Sequence, residues 1–258
     1  MLAALRVGSY VTKSVGIEKA YGKPSYWWIH QLLCLTHHAV VGFGACYALF
    51  SNTFCVKTMR GIGVDFSYES AVDLNYGKVY IANLLSLTIG YMMYDVIILA
   101  QIGELKALIA VHHLVSIGLW PLLNSHSVGQ MWILYFLSTE ITGPFNVIRM
   151  MLCEIKKSHS EAYEKHYSMF YLINGLFFTA LFVVWRLIPI PSLLVAGYRA
   201  NPFRTASIPK HYEETRVLYA KFAIVFAILP ILFNMFWGFQ VVSGALKAFC
   251  KNNKKKKL

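Results

Sequence analysis

Charge is scarce in this sequence: 14% of the residues are Asp, Glu, Lys or Arg, against about 25% in soluble domains. Acidic residues are the scarcer half, 12 against 24 basic ones. With 57% of the chain hydrophobic, a water-soluble core of 258 residues is excluded. Cysteine is sparse as well. There are five, with Cys34 and Cys46 inside one apolar block and Cys55, Cys153 and Cys250 scattered, so neither a disulfide framework nor a Cys-x-x-Cys metal pattern is present. They read as inert small hydrophobes. No strip of Arg and aromatic residues suits a nucleic-acid groove, so the formal charge of +12 has anionic lipid headgroups as its expected partner and no nucleic acid. The first 26 residues hold no apolar stretch ending in a small-residue cleavage site and are not expected to be a cleaved signal peptide.

What the sequence does have is long apolar blocks. Six are visible: Ile29–Phe50, Val79–Ala100, Ala107–Leu123, Gly129–Leu152, Ser168–Ile188 and Phe222–Ser243. A helix needs roughly 20 residues to cross the hydrocarbon slab, and a backbone without water must be helical or a closed barrel. The blocks do not alternate as barrel strands would. The expectation is an all-α polytopic membrane protein, a bundle of six transmembrane helices around a central cavity. A basic interfacial segment (1–28) precedes the transmembrane domain (29–243), and a polybasic tail (244–258) follows it. Lys and Arg are more numerous in the two ends and in the connectors 101–106 and 153–167 than in the other connectors, so both termini are assigned to the cytosol. Pro189-Ile190-Pro191 is expected to end or bend the fifth helix.

Ionisable groups inside a span are costly and therefore informative. They are His30, His37 and His38 in the first block, Asp95 in the second, His112 and His113 in the third, Glu140 and Arg149 in the fourth, and Arg186 in the fifth. Asn146, Asn174 and Asn234 add neutral polarity. At about 1.5 Å per residue, His37, His38, Asp95, His112, His113, Asn146, Asn174 and Asn234 fall in one band roughly 8–14 Å from the cytosolic face. Glu140 lies deeper, and Arg186 is expected alone near the far end, able to snorkel. The band predicts a polar cavity opening to the cytosol and narrowing toward apolar walls suited to an acyl chain. Adjacent His112 and His113 point about 100° apart, so one faces the cavity and the other braces a neighbour; which does which stays open. Neither His-His pair has the i, i+3 or i+4 spacing of helical chelation, so no metal is expected. Asp95 is the candidate partner that orients a histidine, with Tyr91 one turn away on the same face.

In order along the chain, these residues resemble the motifs of the TLC-domain superfamily, multi-pass endoplasmic-reticulum proteins that include ceramide synthases and translocation-associated membrane proteins. Leu35-Thr36-His37-His38 looks like its Ser-x-x-His, and Gly90-Tyr91-Met92-Met93-Tyr94-Asp95 like its Gly-Tyr-x-x-x-Asp. Val111-His112-His113-Leu114 matches the His-His signature. Glu140-Ile141-Thr142-Gly143-Pro144-Phe145 with Arg149 matches Glu-x-x-x-Pro-Phe and Arg, and Ile173-Asn174-Gly175, Arg186, Asn234 and Trp237 complete the set. Where ceramide synthases carry an extended run ending in His-Asp, this chain carries the Glu140 to Phe145 segment.

The resemblance implies lipid handling in the endoplasmic-reticulum membrane, with sphingolipid metabolism as the nearest chemistry. In an enzymatic version, His112 or His113 acts on acyl-CoA as base or acyl acceptor, Asp95 orients it, and Arg149 draws the anionic headgroup. His37, His38, Tyr91, Glu140, Asn146, Asn174 and Asn234 line the lipid site. In a non-enzymatic version the cavity holds or senses a lipid, and no cofactor is implied in either. The alternative class is a cargo receptor or translocon companion. The terminal Lys255-Lys256-Lys257-Leu258 resembles a dilysine retrieval signal read by coat protein, with Lys255 and Lys256 third and fourth from the end; a tail gripping anionic lipid is the other reading.

Overall fold

The computed structural model describes residues 23–51, 75–125, 130–199 and 214–255. The basic N-terminal stretch, most of the two longer connectors and Lys256 with the last two residues lie outside these. Among the described residues every regular element is helical. The helices are α1 (Ser25–Ser51), α2 (Asn75–Gln101), α3 (Ala107–Ser125), α4 (Gln130–Ser138), α5 (Gly143–Ser158), α6 (Ser160–His166), α7 (Ser168–Phe182), α8 (Ile190–Arg199) and α9 (Glu214–Lys255). Five stretches are long and apolar enough to cross a membrane: Ser25–Phe50, Tyr80–Gln101, Ala107–Ser125, Ser168–Ser192 and Ile228–Leu246.

These coincide with five of the six expected spans. The fourth, Gly129–Leu152, is not one helix: α4 and α5 are separated by a 3₁₀ turn, Thr139–Thr142. The reason is Pro144. It has no N–H to give the Glu140 carbonyl, and the Gly143 N–H takes that oxygen one residue early, which tightens the turn. The Pro189 expectation fares similarly. The helix does change there, through a π turn at Val183–Leu187 in which the Ile188 N–H reaches back to the Val183 carbonyl at 2.9 Å. Pro189 cannot donate to the Trp185 carbonyl, and the Tyr135 hydroxyl donates to it instead at 2.7 Å.

α4 sits at the centre. Its residues Trp132 to Leu137 are buried without exception, the pattern of a helix covered on all sides. α1 packs along α4, the 3₁₀ turn and α5, with Val41, Ala45 and Leu49 facing Ile81, Leu84 and Leu85 of α2 in one core. Backbone meets backbone at Gly42, where a Cβ would stand 2.7 Å from Ile141 Cα and 2.8 Å from Glu140 C. Large apolar side chains cover the outside, among them Phe43, Tyr47, Phe50, Met169, Ile188 and Phe239, as lipid rather than water demands. α2 turns into α3 through Gly103, which adopts φ 70° and lets the Glu104 and Leu105 N–H groups cap the Leu99 carbonyl. That short connector sets α2 and α3 side by side and antiparallel.

Candidate functional site

One face of α1 carries His30, Cys34, His37 and His38, spaced by a helical turn or two, and the polar groups of the other helices gather against it. At one end is Asp95, 5% exposed on α2. Its Oδ2 lies 3.0 Å from Nε2 of His113 on α3, and its Oδ1 lies 3.3 Å from Nε2 of His30. The Tyr91 hydroxyl stands 3.4 Å from Oδ1 and 3.2 Å from Cys34 Sγ. A turn along α1, the His37 ring stacks on Tyr91 with centroids 3.8 Å apart and planes 9° from parallel. His38 Nδ1 then pairs with Glu140 Oε2, on the 3₁₀ turn. Gly143 makes room for that imidazole, since a Cβ there would stand 2.6 Å from His38 Cβ and Nδ1.

The string continues to Arg186. Its Nε donates to Thr142 Oγ1 at 3.0 Å, one terminal nitrogen to Asn234 Oδ1 at 3.1 Å and the other to the Thr139 carbonyl at 2.9 Å. It is close enough to Glu140 for their charges to attract. Arg186 is therefore not alone, and it does not snorkel. The π turn supplies the orientation, aiming the guanidinium at carbonyl and hydroxyl oxygens that the 3₁₀ turn has exposed. The two irregular turns thus face each other: Arg186 of the π turn serves the Thr139 carbonyl and the Thr142 hydroxyl of the 3₁₀ turn, while Tyr135 of α4 serves the Trp185 carbonyl that Pro189 leaves open.

Of the histidine pair on α3, His113 joins the string and is 7% exposed, with Nδ1 buried and no hydrogen-bond partner among the described residues. His112 is the brace: its ring meets Phe233 and Trp237 of α9 edge-on, with centroids 5.7 and 5.6 Å away. Asn174 donates to the Phe145 carbonyl at 2.8 Å and joins α7 to α5. Arg149 is exposed on α5 and Asn146 is half-buried, and neither joins the string.

The single depth band is thereby corrected. Asn174 and Arg186 lie on one helical path about 18 Å apart, yet Asn234, expected level with Asn174, bonds to Arg186. The error came from the ends assigned to the last span. α9 runs on to Lys255, so counting back from Ser243 placed Asn234 too near one face.

Cys34, read from the sequence as an inert small hydrophobe, has polar neighbours. Its sulfur lies 3.6 Å from His30 Nε2 and 3.9 Å from Nδ1, besides the Tyr91 hydroxyl. His30 is among the in-span ionisable groups the sequence singles out but is not assigned to the site there, and neither is Cys34. The signal that finds them is their i, i+4 spacing in step with His37 and His38, a polar stripe on a helix otherwise apolar.

A helical bundle with this ordered set of polar residues invites comparison with known families, and the TLC domain profile matches residues 27–243. The chain belongs to the TLC-domain family. Its members are in general membrane proteins linked to lipid metabolism, and this TLC-domain chain is a multi-pass membrane protein. It is similar to the TLC domain-containing protein 4 A of Dictyostelium discoideum, with 30% identity over 146 residues. That match takes in 54% of this chain and 48% of the relative, so the chain matches about half of the relative's length. No solved structure matches.

Proposed function

We propose that this TLC-domain protein handles lipids in the endoplasmic-reticulum membrane and that its His113–Asp95 pair transfers an acyl group from acyl-CoA to an acceptor. The observation that carries the reading is the geometry of His113. With Nε2–H held by Asp95 at 3.0 Å, the tautomer that satisfies the carboxylate leaves Nδ1 as a buried lone pair without a protein partner. An imidazole fixed in this way is a general base awaiting a proton donor. As the acceptor's amine or hydroxyl attacks the thioester carbonyl, Nδ1 takes its proton, and Asp95 faces the imidazolium that forms. The proton then passes to the departing thiolate: a C–S bond breaks and a C–N or C–O bond forms.

The acyl chain is drawn to lie between α3 and α9. The seam of α1 with the 3₁₀ turn is filled to backbone contact at Gly42, whereas α3 and α9 meet at few points. There His112 packs edge-on against Phe233 and Trp237, an apolar wall along which the chain would lie. Arg149, exposed on α5, is available to an anionic headgroup or to the phosphates of CoA. The excess of Lys and Arg at the two ends, with Lys255 and Lys256 near the terminus, supports cytosolic termini and retrieval to the endoplasmic reticulum by coat protein.

The test is made on purified full-length protein in lipid nanodiscs, supplied with long-chain acyl-CoA and, in parallel, long-chain amino bases and lysophospholipids. The expected result is an acylated product, identified by mass spectrometry, that is absent from His113→Gln and Asp95→Asn and retained in His112→Phe. Product formation undiminished in His113→Gln, or absent from the wild type, would overturn catalysis. Acyl species co-purifying with a protein that gives no product would point to lipid holding instead.

A further inference from the structure

We infer that the His38–Glu140 pair is a second binding point for the lipid, one that takes a hydroxyl carried near the middle of the acyl chain. It rests on the acyl-transfer reading for where the carbonyl end of that chain lies, and it makes a mid-chain hydroxy acid the preferred acyl group.

His38 stands in the middle of the buried face of α1. Cys34, a turn before it, is 5% exposed, and Val41 and Ala45 after it are 0% exposed. The His38 side chain nevertheless keeps 20% of its surface, and Glu140, between buried Thr139 and Thr142, keeps 15%. The outer face of α1 is the opposite one, marked by exposed Leu32, Thr36, Val40 and Phe43. The surface left on His38 and Glu140 therefore opens between helices and not onto the surrounding lipid.

The chemistry of that opening is one-sided. His38 Nδ1 is held by Glu140, whose charge Arg186 offsets, and Nε2 has no hydrogen-bond partner among the described residues. With the ring proton on the Nδ1 side, Nε2 carries a lone pair and lacks a donor. A charged amine is costly to bring to this depth, whereas a hydroxyl donates without carrying charge. In open bilayer a mid-chain hydroxyl has no partner at all, so each group satisfies what the other leaves open.

The level of the pair fixes the position of the hydroxyl. His30 and His113 share the Asp95 carboxylate and so lie at one level. From His30 to His38 along α1 is about 12 Å. An extended chain advances about 1.2 Å per bond, so an acyl group with its carbonyl at His113 brings roughly carbons 10 to 12 level with His38. The same layer reaches the acyl gap: Asn234, which accepts from Arg186, follows Phe233 on α9 and stands one turn before Trp237, the two rings that wall the gap.

The experiment is displacement of tritiated palmitoyl-CoA from the full-length protein in nanodiscs, read by scintillation proximity with no acceptor present, so that no transfer is needed. The competitors are stearoyl-CoA and its 12-hydroxy, 2-hydroxy and 12-oxo forms. The 12-hydroxy form should compete about tenfold better than stearoyl-CoA, the worth of one hydrogen bond to a buried polar group. The 2-hydroxy form, whose hydroxyl stays beside the carbonyl, and the 12-oxo form, which has no proton to give, should match stearoyl-CoA. In His38→Phe the preference should fall to parity, and the positional series on the wild type decides the matter even if that variant does not fold. A 12-hydroxy form no better than stearoyl-CoA, a 2-hydroxy or 12-oxo form equal to it, or a preference kept in His38→Phe would overturn the inference. Equal competition by all four removes the hydroxyl site and leaves acyl transfer standing, whereas a protein that binds no palmitoyl-CoA removes both.

Discussion

Gly42→Ala tests whether α1 and the 3₁₀ turn are in backbone contact. The added methyl would stand 2.7 Å from Ile141 Cα and 2.8 Å from Glu140 C, where ordinary contact begins at 3.4 Å. Both neighbours are main chain, so no rotamer change relieves the clash, and the two elements must part by the better part of an ångström. Overpacking a filled interior costs about 1–3 kcal/mol, and an obstacle made of backbone places this case near the top of that range. Against it stands the helix-propensity gain of Gly→Ala, up to about 1 kcal/mol. The net expectation is a loss of about 2 kcal/mol, a drop in Tm of roughly 4–8 °C for a domain of this size. Gly90→Ala is the control, a mid-helix glycine with nothing within 4 Å, for which only the propensity gain applies. Tryptophan-fluorescence melting in one detergent compares the two variants, and the signs should be opposite. A Gly42→Ala protein melting at or above Gly90→Ala would refute the close approach, and with it the position of Glu140 against His38.

Other perturbations follow from the same contacts. Arg186→Met leaves Asn234 Oδ1 without its donor, reduces Thr142 Oγ1 and the Thr139 carbonyl to the bond they make with each other and leaves Glu140 with His38 alone, and should cost about 3–5 kcal/mol by thermal melting. Adding Glu140→Gln should recover part of the loss, and recovery of none would sink the charge pairing. His112→Phe keeps the edge contacts to Phe233 and Trp237 and should melt within about 1 kcal/mol of wild type, whereas His113→Phe, which leaves Asp95 Oδ2 without its donor, should melt well below it. Burial pushes the Tyr163 phenol on α6 up to about 12. Its contribution to holding α6 against α5 is therefore complete below the usual phenol range near 10 and is lost as pH climbs from there toward 12. Protection of the α6 amides, taken relative to the base-catalysed intrinsic rate, should hold up to that window and fall within it, and Tyr163→Phe should remove the step.

Block length and polarity made five spans readable because each is an uninterrupted helix whose cost of crossing lipid is set by composition alone. The fourth hid its break, since Gly143-Pro144 sits inside an apolar run where composition still says membrane; only the carbonyl of Glu140, which takes the Gly143 N–H in place of the one Pro144 lacks, reveals the 3₁₀ turn. A pairing of Asp95 with one of the two α3 histidines was legible because α2 and α3 are antiparallel neighbours with a short connector, so position along one helix fixes position along the other; that it is His113 was not. Arg186 was misjudged for the converse reason. Its partners lie on the 3₁₀ turn and α9, separated from it by irregular chain or by a boundary that hydropathy sets only loosely. His30 was noted but not joined to Cys34, because attention to paired histidines overlooked a mixed pair at helical spacing.

The π turn has a consequence for how this chain tolerates change in length. It holds one residue more than the regular helix on either side of it, a local surplus that rotates all that follows by about 100°. Removing a single residue between Val183 and Leu187 would let α7 run on with even pitch, at little cost to its own hydrogen bonding. The guanidinium would then swing from the interior toward the hydrocarbon, and the threonine and asparagine oxygens it now serves would face one another across a dry gap. A deletion that improves the helix locally would thus undo the bundle globally, while insertions of whole turns beyond Ile190 should pass almost unnoticed.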